Sequence, residues 1–129
     1  MRNKLMALVA ARAVTVSLNA REFPDITIAD LKKAIAEKKA TVIDVNGTDS
    51  YKAGHVPTAI DFAANEAQLK DKLPAKKDAL VVAYCGGPSC SAYQAAAKKA
   101  KELGYTNVVH LSAGLSGWKA AKEKLETGK

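Results

Sequence analysis

Two cysteines, Cys85 and Cys90, flank a short Gly-Gly-Pro-Ser turn and are the residues of this chain best suited to chemistry. The apolar run from 80 to 84 predicts a buried strand before the turn. The segment from 92 to 103, which has strong helix formers and no Gly or Pro, predicts a helix after it. In α/β proteins, ligands bind where the carboxyl end of a strand meets such a helix. The sequence therefore predicts that Cys85 is a nucleophilic or sulfur-carrying thiol.

The predicted loop after Cys85 suits a negatively charged sulfur. The unpaired N–H groups and the positive dipole end of the following helix favour a thiolate over a thiol. Gly86 and Gly87 allow the backbone to curl so that several amides point inward, whereas Pro88 has no N–H to contribute. The alternative is that Cys85 is a small hydrophobic residue at a strand end, followed by ordinary turn residues.

The composition describes one ordinary domain. The chain has 129 residues, with 20 Lys and Arg against 13 Asp and Glu, so its net charge is +7. The lysines are interpreted as solvated helix faces, because aromatic residues do not alternate with them as in a nucleic-acid surface. Their positive field would still attract a small anionic substrate. No segment is long enough to span a membrane. We expect a monomer with no nucleic-acid partner and no membrane span.

The cysteines and histidines do not form a metal-binding pattern. Four residues separate Cys85 from Cys90, unlike the Cys-x-x-Cys spacing of zinc sites and thioredoxins. We therefore expect no metal and no cofactor. A disulfide between the two cysteines is sterically conceivable. It would block the thiolate and would represent an oxidised resting state.

Residues 1–20 have the layout of a secretory signal. Two positive charges come first, apolar stretches follow, and Leu18-Asn-Ala20 resembles a cleavage site. Arg12 interrupts the apolar part, which favours a weakened or degenerate signal, and an N-terminal extension is the alternative. The domain itself is assigned to residues 21–129. If residues 1–20 act as a signal the protein is exported or periplasmic, and otherwise it is cytoplasmic.

Helices and strands alternate through the rest of the chain. Thr27-x-x-Asp30 predicts the capped start of an amphipathic helix. Strands are predicted at 41–45, 59–62, 80–84 and 108–111, further helices at 48–51, 65–73, 92–103 and 118–126, and a loop at 112–117. Such alternation is typical of right-handed βαβ units, which predicts a mostly parallel sheet with helices on both faces.

Five short motifs follow one another along the chain. They are Asp44-Val45, Tyr51-x-x-Gly54-His55-Val56-Pro57, Tyr84-Cys85-Gly-Gly-Pro-Ser-Cys-Ser91, Gly104-Tyr-x-Asn-Val108 and Ala113-Gly-x-x-Gly-Trp118. Over about residues 25–126 the chain thus resembles a single-domain rhodanese, a sulfurtransferase. The resemblance implies a three-layer α/β fold whose central, mostly parallel sheet has about five strands. It also implies that Cys85 takes a sulfane sulfur as a persulfide from a donor such as thiosulfate, and passes it to cyanide or a thiol.

A persulfide on Cys85 would be stabilised by backbone amides that surround it. The amides assigned to this anion site are those of Gly86, Gly87, Ser89, Cys90 and Ser91. Ser91 is equally suited to capping the following helix. His55 is interpreted as a structural turn histidine rather than a general base, and Asp44 as a hydrogen-bonding anchor.

The chain departs from the family pattern at four positions. Cys90 and Asn46 stand where arginines are common, and Thr58 and Ala113 stand where glycines are usual. At the position of Asn46 an arginine would form an ion pair with Asp44, and at the position of Cys90 an arginine would bind the thiosulfate dianion through two hydrogen bonds. The absence of this second arginine puts thiosulfate in doubt as the physiological donor and favours a different substrate or weak activity. Cys90 is interpreted as a resolving or modulating thiol.

Three other functions are alternatives to sulfur transfer. A cysteine-dependent phosphatase requires an arginine in its anion cradle, and Cys90 and Ser91 occupy the relevant positions here. A non-catalytic rhodanese-like binding module would keep the loop only as scaffold. A redox-sensing module would act through a Cys85–Cys90 disulfide.

Overall fold

The computed structural model describes residues 23–128, so the signal predicted at residues 1–20 lies outside the described part of the chain. No helix in that part is both long enough and apolar enough to cross a membrane. In chain order the elements are α1 (Ile28–Ala36), β1 (Ala40–Asp44), α2 (Thr48–Ala53), β2 (Ile60–Asp61), α3 (Phe62–Asn65), a 3₁₀ turn (Glu66–Gln68), α4 (Leu69–Lys72), β3 (Leu80–Tyr84), α5 (Tyr93–Glu102), β4 (Val108–His110) and α6 (Gly114–Ala120).

The strands form a parallel sheet in the order β2-β1-β3-β4. Its two central strands, β1 and β3, are rich in Val, Ile and Leu and become more buried towards their carboxyl ends. This is typical of strands covered on both faces. The predicted α/β class is confirmed. The sheet of residues 23–128 has four strands, however, rather than about five.

The two faces of the sheet pack against different helices. Because successive strand residues point to opposite faces, Tyr84 and Cys85 belong to different layers. Cys85 packs in a core cluster with side chains of α3, α4 and α5. Tyr84 packs in a second cluster with side chains of α1, α2 and α6. The β3 strand therefore delivers Cys85 to the α5 side of the sheet.

Local signals placed several elements correctly. Helix α1 begins directly after Thr27, as the sequence predicted. The Thr27 Oγ1 atom caps the helix by accepting a hydrogen bond of 3.0 Å from the Asp30 amide. The predicted bounds of β3 agree with the structure. The single helix predicted at 65–73 is instead α3, a 3₁₀ turn and α4. The Asn65 side chain donates to the Asp61 carbonyl (2.9 Å), a local bond of the kind that competes with helix continuation.

The largest difference lies near the carboxyl end. The sequence predicted a loop at 112–117 and a helix at 118–126, but α6 begins at Gly114 and ends at Ala120. The segment after α6 turns back to the His55 turn, where the backbones of His55 and Glu126 exchange hydrogen bonds of 2.8 and 2.9 Å. Trp118 therefore lies within α6 rather than at the start of a helix. Its side chain is buried, and its ring N–H donates to the Lys124 carbonyl.

Candidate active site

Cys85 lies directly after β3 and is joined to Cys90 by a disulfide bond. The two Cα atoms are 6.3 Å apart, within the usual range for protein disulfides. Cys85 is 1% exposed, whereas Cys90 is half-buried and packs against the same core cluster. The structure therefore has both cysteines in the oxidised state that the sequence left open.

The loop between the two cysteines keeps most of its backbone donors available. The Cys90 amide donates to the Gly87 carbonyl (3.1 Å) and closes a turn. Among the hydrogen bonds of residues 23–128, none is donated by the amides of Gly86, Gly87, Ser89 or Ser91. Of the five amides assigned from the sequence, that of Cys90 is committed within the loop and the other four have no hydrogen-bond acceptor among residues 23–128.

The amino end of α5 follows this loop. The helix begins at Tyr93, and its N-cap residue Ala92 has no side-chain acceptor to offer. Ser91 is exposed and contributes only its carbonyl, which accepts a hydrogen bond of 3.0 Å from the Gln94 amide. The alternative that Ser91 caps the helix is therefore wrong. No side chain caps α5, and the first-turn amides of Gln94 and Ala95 donate instead to the Ser91 and Ala92 carbonyls.

The first turn of α6 holds the base of the Cys85 loop. The amides of Leu115 and Ser116 donate to the carbonyls of Cys85 and Gly86, each at 2.9 Å. Gly114 has a φ of +65°, and a Cβ atom there would lie 2.6 Å from the backbone of Gly86 and of Gly87. Glycine is therefore required for this close approach. The sequence indicated the glycine motif but not these contacts, because they join segments distant in the chain.

A second polar cluster lies at the carboxyl ends of β1 and β3, on the opposite face of the sheet from Cys85. The Tyr84 hydroxyl donates to Asp44 Oδ2 (2.5 Å) and accepts from the Val56 amide (3.0 Å), while the Asn46 amide donates to Asp44 Oδ1 (2.8 Å). Burial raises the pKa of Asp44, and the hydrogen bonds from Tyr84 and from the Asn46 amide oppose that rise. Burial, and then the charge of Asp44, raise the pKa of Tyr84. The hydrogen bonds of Asp44 and Tyr84 hold the ends of β1 and β3 together, as expected of a hydrogen-bonding anchor.

His55 contacts the surrounding turn rather than the cysteines. Its Nδ1 donates to the Tyr51 carbonyl (2.7 Å), and its ring stacks on that of Tyr51 with 3.6 Å between centroids. Its Nε2 lies 3.8 Å from Glu126 Oε1. The side chain is buried, with 3% of the residue exposed. Both ring nitrogens face structural partners, so the arrangement holds the turn and the carboxyl-terminal segment together.

Cys85 is almost completely buried in this oxidised form. Three surface cavities, of about 420, 300 and 180 Å³, lie beside β2, beside the start of β1 and beside Trp118, and Cys85 lines none of the three. Within residues 23–128 no three His, Cys, Asp or Glu side chains form a group that could hold a metal ion. Because the Cys85 sulfur is bonded to Cys90, it can act as a nucleophile only after the disulfide opens.

Comparison with known proteins identifies the family. The sequence model of the rhodanese-like domain matches residues 27–121, which is more than half of the chain. The chain belongs to the rhodanese-like domain family. The match includes β1 to β4, the cysteine loop and α6, so every element that positions Cys85 lies inside the rhodanese-like domain.

The relatives of this rhodanese-like domain differ in size and description. This chain is 33% identical to an HTH-type transcriptional regulator of Mycobacterium tuberculosis, and the match covers 80% of this chain but only 45% of that protein. It is 29% identical to the thiosulfate sulfurtransferase GlpE of Pseudoalteromonas translucida, over 81% of this chain and 97% of that protein. The human single-domain sulfurtransferase TSTD1 is 23% identical, with a TM-score of 0.59 over 78% of this chain and 98% of that one, and so supports the fold alone. The chain thus spans less than half of the first relative and nearly all of the second.

Proposed function

We propose that this rhodanese-like domain is a sulfurtransferase whose reduced Cys85 accepts a sulfane sulfur and passes it to cyanide or a thiol. The observation that carries the proposal is the environment of Cys85. It lies at the carboxyl end of β3, beside the amino end of α5, and in a loop where the amides of Gly86, Gly87, Ser89 and Ser91 donate no hydrogen bond within the described chain. The full-length relative named as a thiosulfate sulfurtransferase supports this reading.

The chemistry needs only one nucleophile and an anion site. The Cys85 thiolate attacks the outer sulfur of a donor such as thiosulfate, the donor's S–S bond breaks, and sulfite leaves with the electron pair. The persulfide on Cys85 then gives its outer sulfur to cyanide, forming thiocyanate and restoring the thiolate. Both forms of Cys85 are anions, which the loop amides and the dipole of α5 would stabilise. Loss of one preorganised donor of this type costs about 3 kcal/mol in comparable oxyanion sites.

The residues around the loop make thiosulfate a poor fit. A doubly charged donor is best held by a bidentate arginine, and the loop position expected to provide one is occupied by Cys90. The net charge of +7 attracts anions at long range but does not orient them. We therefore propose that a persulfide, whose reacting group carries a single negative charge, is a better donor than thiosulfate.

The experiment begins with protein reduced by dithiothreitol and desalted. Separate samples receive thiosulfate or glutathione persulfide and are examined by mass spectrometry, with and without cyanide. In the Cys90→Ser variant, which lacks the second thiol, we expect a gain of about 32 Da at Cys85, and thiocyanate when cyanide is present. From Cys85→Ser we expect neither the added mass nor thiocyanate above the protein-free background. A reduced chain that stays unmodified with both donors would contradict the proposal and favour a non-catalytic binding module.

The disulfide supports a second candidate function. A redox-sensing module would use the Cys85–Cys90 bond itself as its signal. Such a module predicts that oxidation and reduction interconvert the two states while no donor transfers sulfur to either cysteine. The loading experiment therefore separates the two functions.

A further inference from the structure

We propose that Cys90 resolves the Cys85 persulfide and releases its outer sulfur as hydrogen sulfide. This inference rests on the proposed function, because it begins with a sulfane sulfur already on Cys85. It adds a second outcome for that sulfur, in which the acceptor is a thiol of the same chain. The observation behind it is that the Cys90 sulfur bonds directly to the Cys85 sulfur.

The loop geometry selects the inner sulfur of the persulfide as the point of attack. The base of the loop is held where the Leu115 amide donates to the Cys85 carbonyl, and the Cys90 amide donates to Gly87 within the loop. With a Cα separation of 6.3 Å, the Cys90 sulfur reaches Cys85 Sγ itself. A persulfide carries its transferable sulfur one bond beyond that atom. The disulfide in the structure is therefore the product that such an attack would leave.

The step balances without another reactant. The Cys90 thiol gives its proton to the outer sulfur of the persulfide, and the resulting Cys90 thiolate attacks Cys85 Sγ. The bond between Cys85 Sγ and the sulfane sulfur breaks, and that sulfur leaves as hydrosulfide with the electron pair. The sulfane sulfur is reduced to sulfide, while the two cysteine sulfurs are oxidised to the disulfide. The departing hydrosulfide is a small anion, for which the uncommitted amides of Gly86, Gly87 and Ser89 offer donors.

Turnover requires a dithiol reductant, and the burial of the two sulfurs decides how it acts. Cys85 is 1% exposed, whereas Cys90 is half-buried, so an incoming thiolate reaches the Cys90 sulfur first. Attack there releases Cys85 as the leaving thiolate, the form that the loop amides favour. The dithiol then closes its own disulfide and frees Cys90. The net reaction converts a sulfane sulfur and a dithiol into hydrogen sulfide and a disulfide.

The test compares reduced wild type, Cys90→Ser and Cys85→Ser under anaerobic conditions with no added thiol. The probes are thiosulfate with an isotopically labelled outer sulfur and, in parallel, labelled glutathione persulfide followed by rapid desalting. We expect the wild type to release one labelled sulfide per chain and to end about 2 Da lighter than its reduced form. We expect Cys90→Ser to keep about 32 Da on Cys85 and to release sulfide at least about 100-fold more slowly, because an oriented intramolecular thiol is lost. Cys85→Ser should remain unmodified.

The other possible outcomes contradict the release step, the role of Cys90 or the proposed function. Wild type that keeps the added sulfur on Cys85 would refute the release step and leave the proposed function standing. Added sulfur found on Cys90 would show a relay instead of release, and equal sulfide from Cys90→Ser would show that Cys90 is not the nucleophile. If neither donor loads any variant, the proposed function fails and this inference fails with it. The wild type also gives a readout free of variants, since its disulfide should form anaerobically only when donor is present.

Discussion

Gly114→Ala is expected to displace the Cys85 loop while leaving the sheet in place. A Cβ atom at Gly114 would lie 2.6 Å from the Gly86 carbonyl carbon and the Gly87 nitrogen, and 2.7 Å from the Gly86 oxygen. All three are backbone atoms, so no side-chain rotation can relieve the overlap. The first turn of α6 and the cysteine loop must separate by roughly 0.8 Å to restore ordinary contact at 3.4 Å.

Two contributions set the loss of stability. Alanine at the φ of +65° found at Gly114 costs about 1–2 kcal/mol. Overpacking against fixed backbone costs about 1–3 kcal/mol more. Gly104→Ala is the matched control, because Gly104 also has a positive φ (+101°) but its nearest neighbours are side-chain atoms of Lys77 at 3.7 Å. The free energy of unfolding should fall by about 2–5 kcal/mol for Gly114→Ala and by about 1–2 kcal/mol for the control.

Gly114→Ala should also slow sulfur loading in the protein that remains folded. Separation would lengthen the hydrogen bonds from Leu115 and Ser116 to the carbonyls of Cys85 and Gly86. A displacement near 1 Å at a reacting group can lower a rate by about 100-fold. Urea unfolding gives the stability of both variants, and the sulfane-loading rate of the reduced, folded protein gives the function. We expect Gly114→Ala to load about 100-fold more slowly than Gly104→Ala.

Equal behaviour of the two variants would refute this reasoning. If Gly114→Ala loses no more stability than Gly104→Ala, the two segments are not in the close contact that the structure gives them. If it is less stable but loads sulfur at the wild-type rate, the α6 turn supports the fold without positioning Cys85.

Three further predictions address strain, pH and the disulfide. Thr58 has a φ of +74°, and glycine would keep the hydrogen bond from its backbone amide to Glu126, so Thr58→Gly should raise the free energy of unfolding in urea by about 0.5–1 kcal/mol. A decrease would show that the threonine side chain stabilises the turn by more than its backbone conformation costs. Burial raises the pKa of Asp44 in the folded protein above its ordinary 3.8. The protonated carboxyl therefore contributes stability that is fully present below pH 3.8 and is lost as the pH rises through the higher pKa of the folded state. Asp44→Asn should therefore remove a decline in unfolding free energy above pH 3.8, and an unchanged pH profile would contradict this. Cys85→Ser should be as stable as reduced wild type, about 2 kcal/mol below the oxidised protein, and a larger loss would show that serine does not fit the site.

The parts of the fold that the sequence predicted depend on neighbouring residues. The start of α1 follows from a cap between Thr27 and Asp30, three residues apart. The bounds of β3 follow from a short apolar run between a polar turn and glycines. The start of α6 at Gly114 was missed because the glycine reads locally as a turn. Its actual role is to approach the backbone of Gly86, which is distant in sequence, and no local pattern contains that contact.

The candidate site was predictable to a similar extent. The position of Cys85 after a buried strand was predicted, and so was the glycine turn that follows it. The sequence also put Cys90 near Cys85, but spacing alone left the disulfide open. The roles of Leu115 and Ser116 were missed, because a backbone amide carries no signature of its residue type. Only their place in the Ala113-Gly-x-x-Gly-Trp118 motif could have drawn attention to them.

The proposed transfer and the proposed release share a single persulfide, so the two cysteines determine which occurs. An external acceptor must reach the outer sulfur on Cys85, whereas Cys90 is held where its sulfur contacts the inner one. Each release closes the disulfide, and Cys85 then cannot accept another sulfur until a reductant acts. Transfer to an acceptor leaves Cys85 reduced and ready for another donor. The balance between cyanide or thiol acceptors and Cys90 would therefore decide whether the domain continues to transfer sulfur or stops after one sulfide and waits for a dithiol.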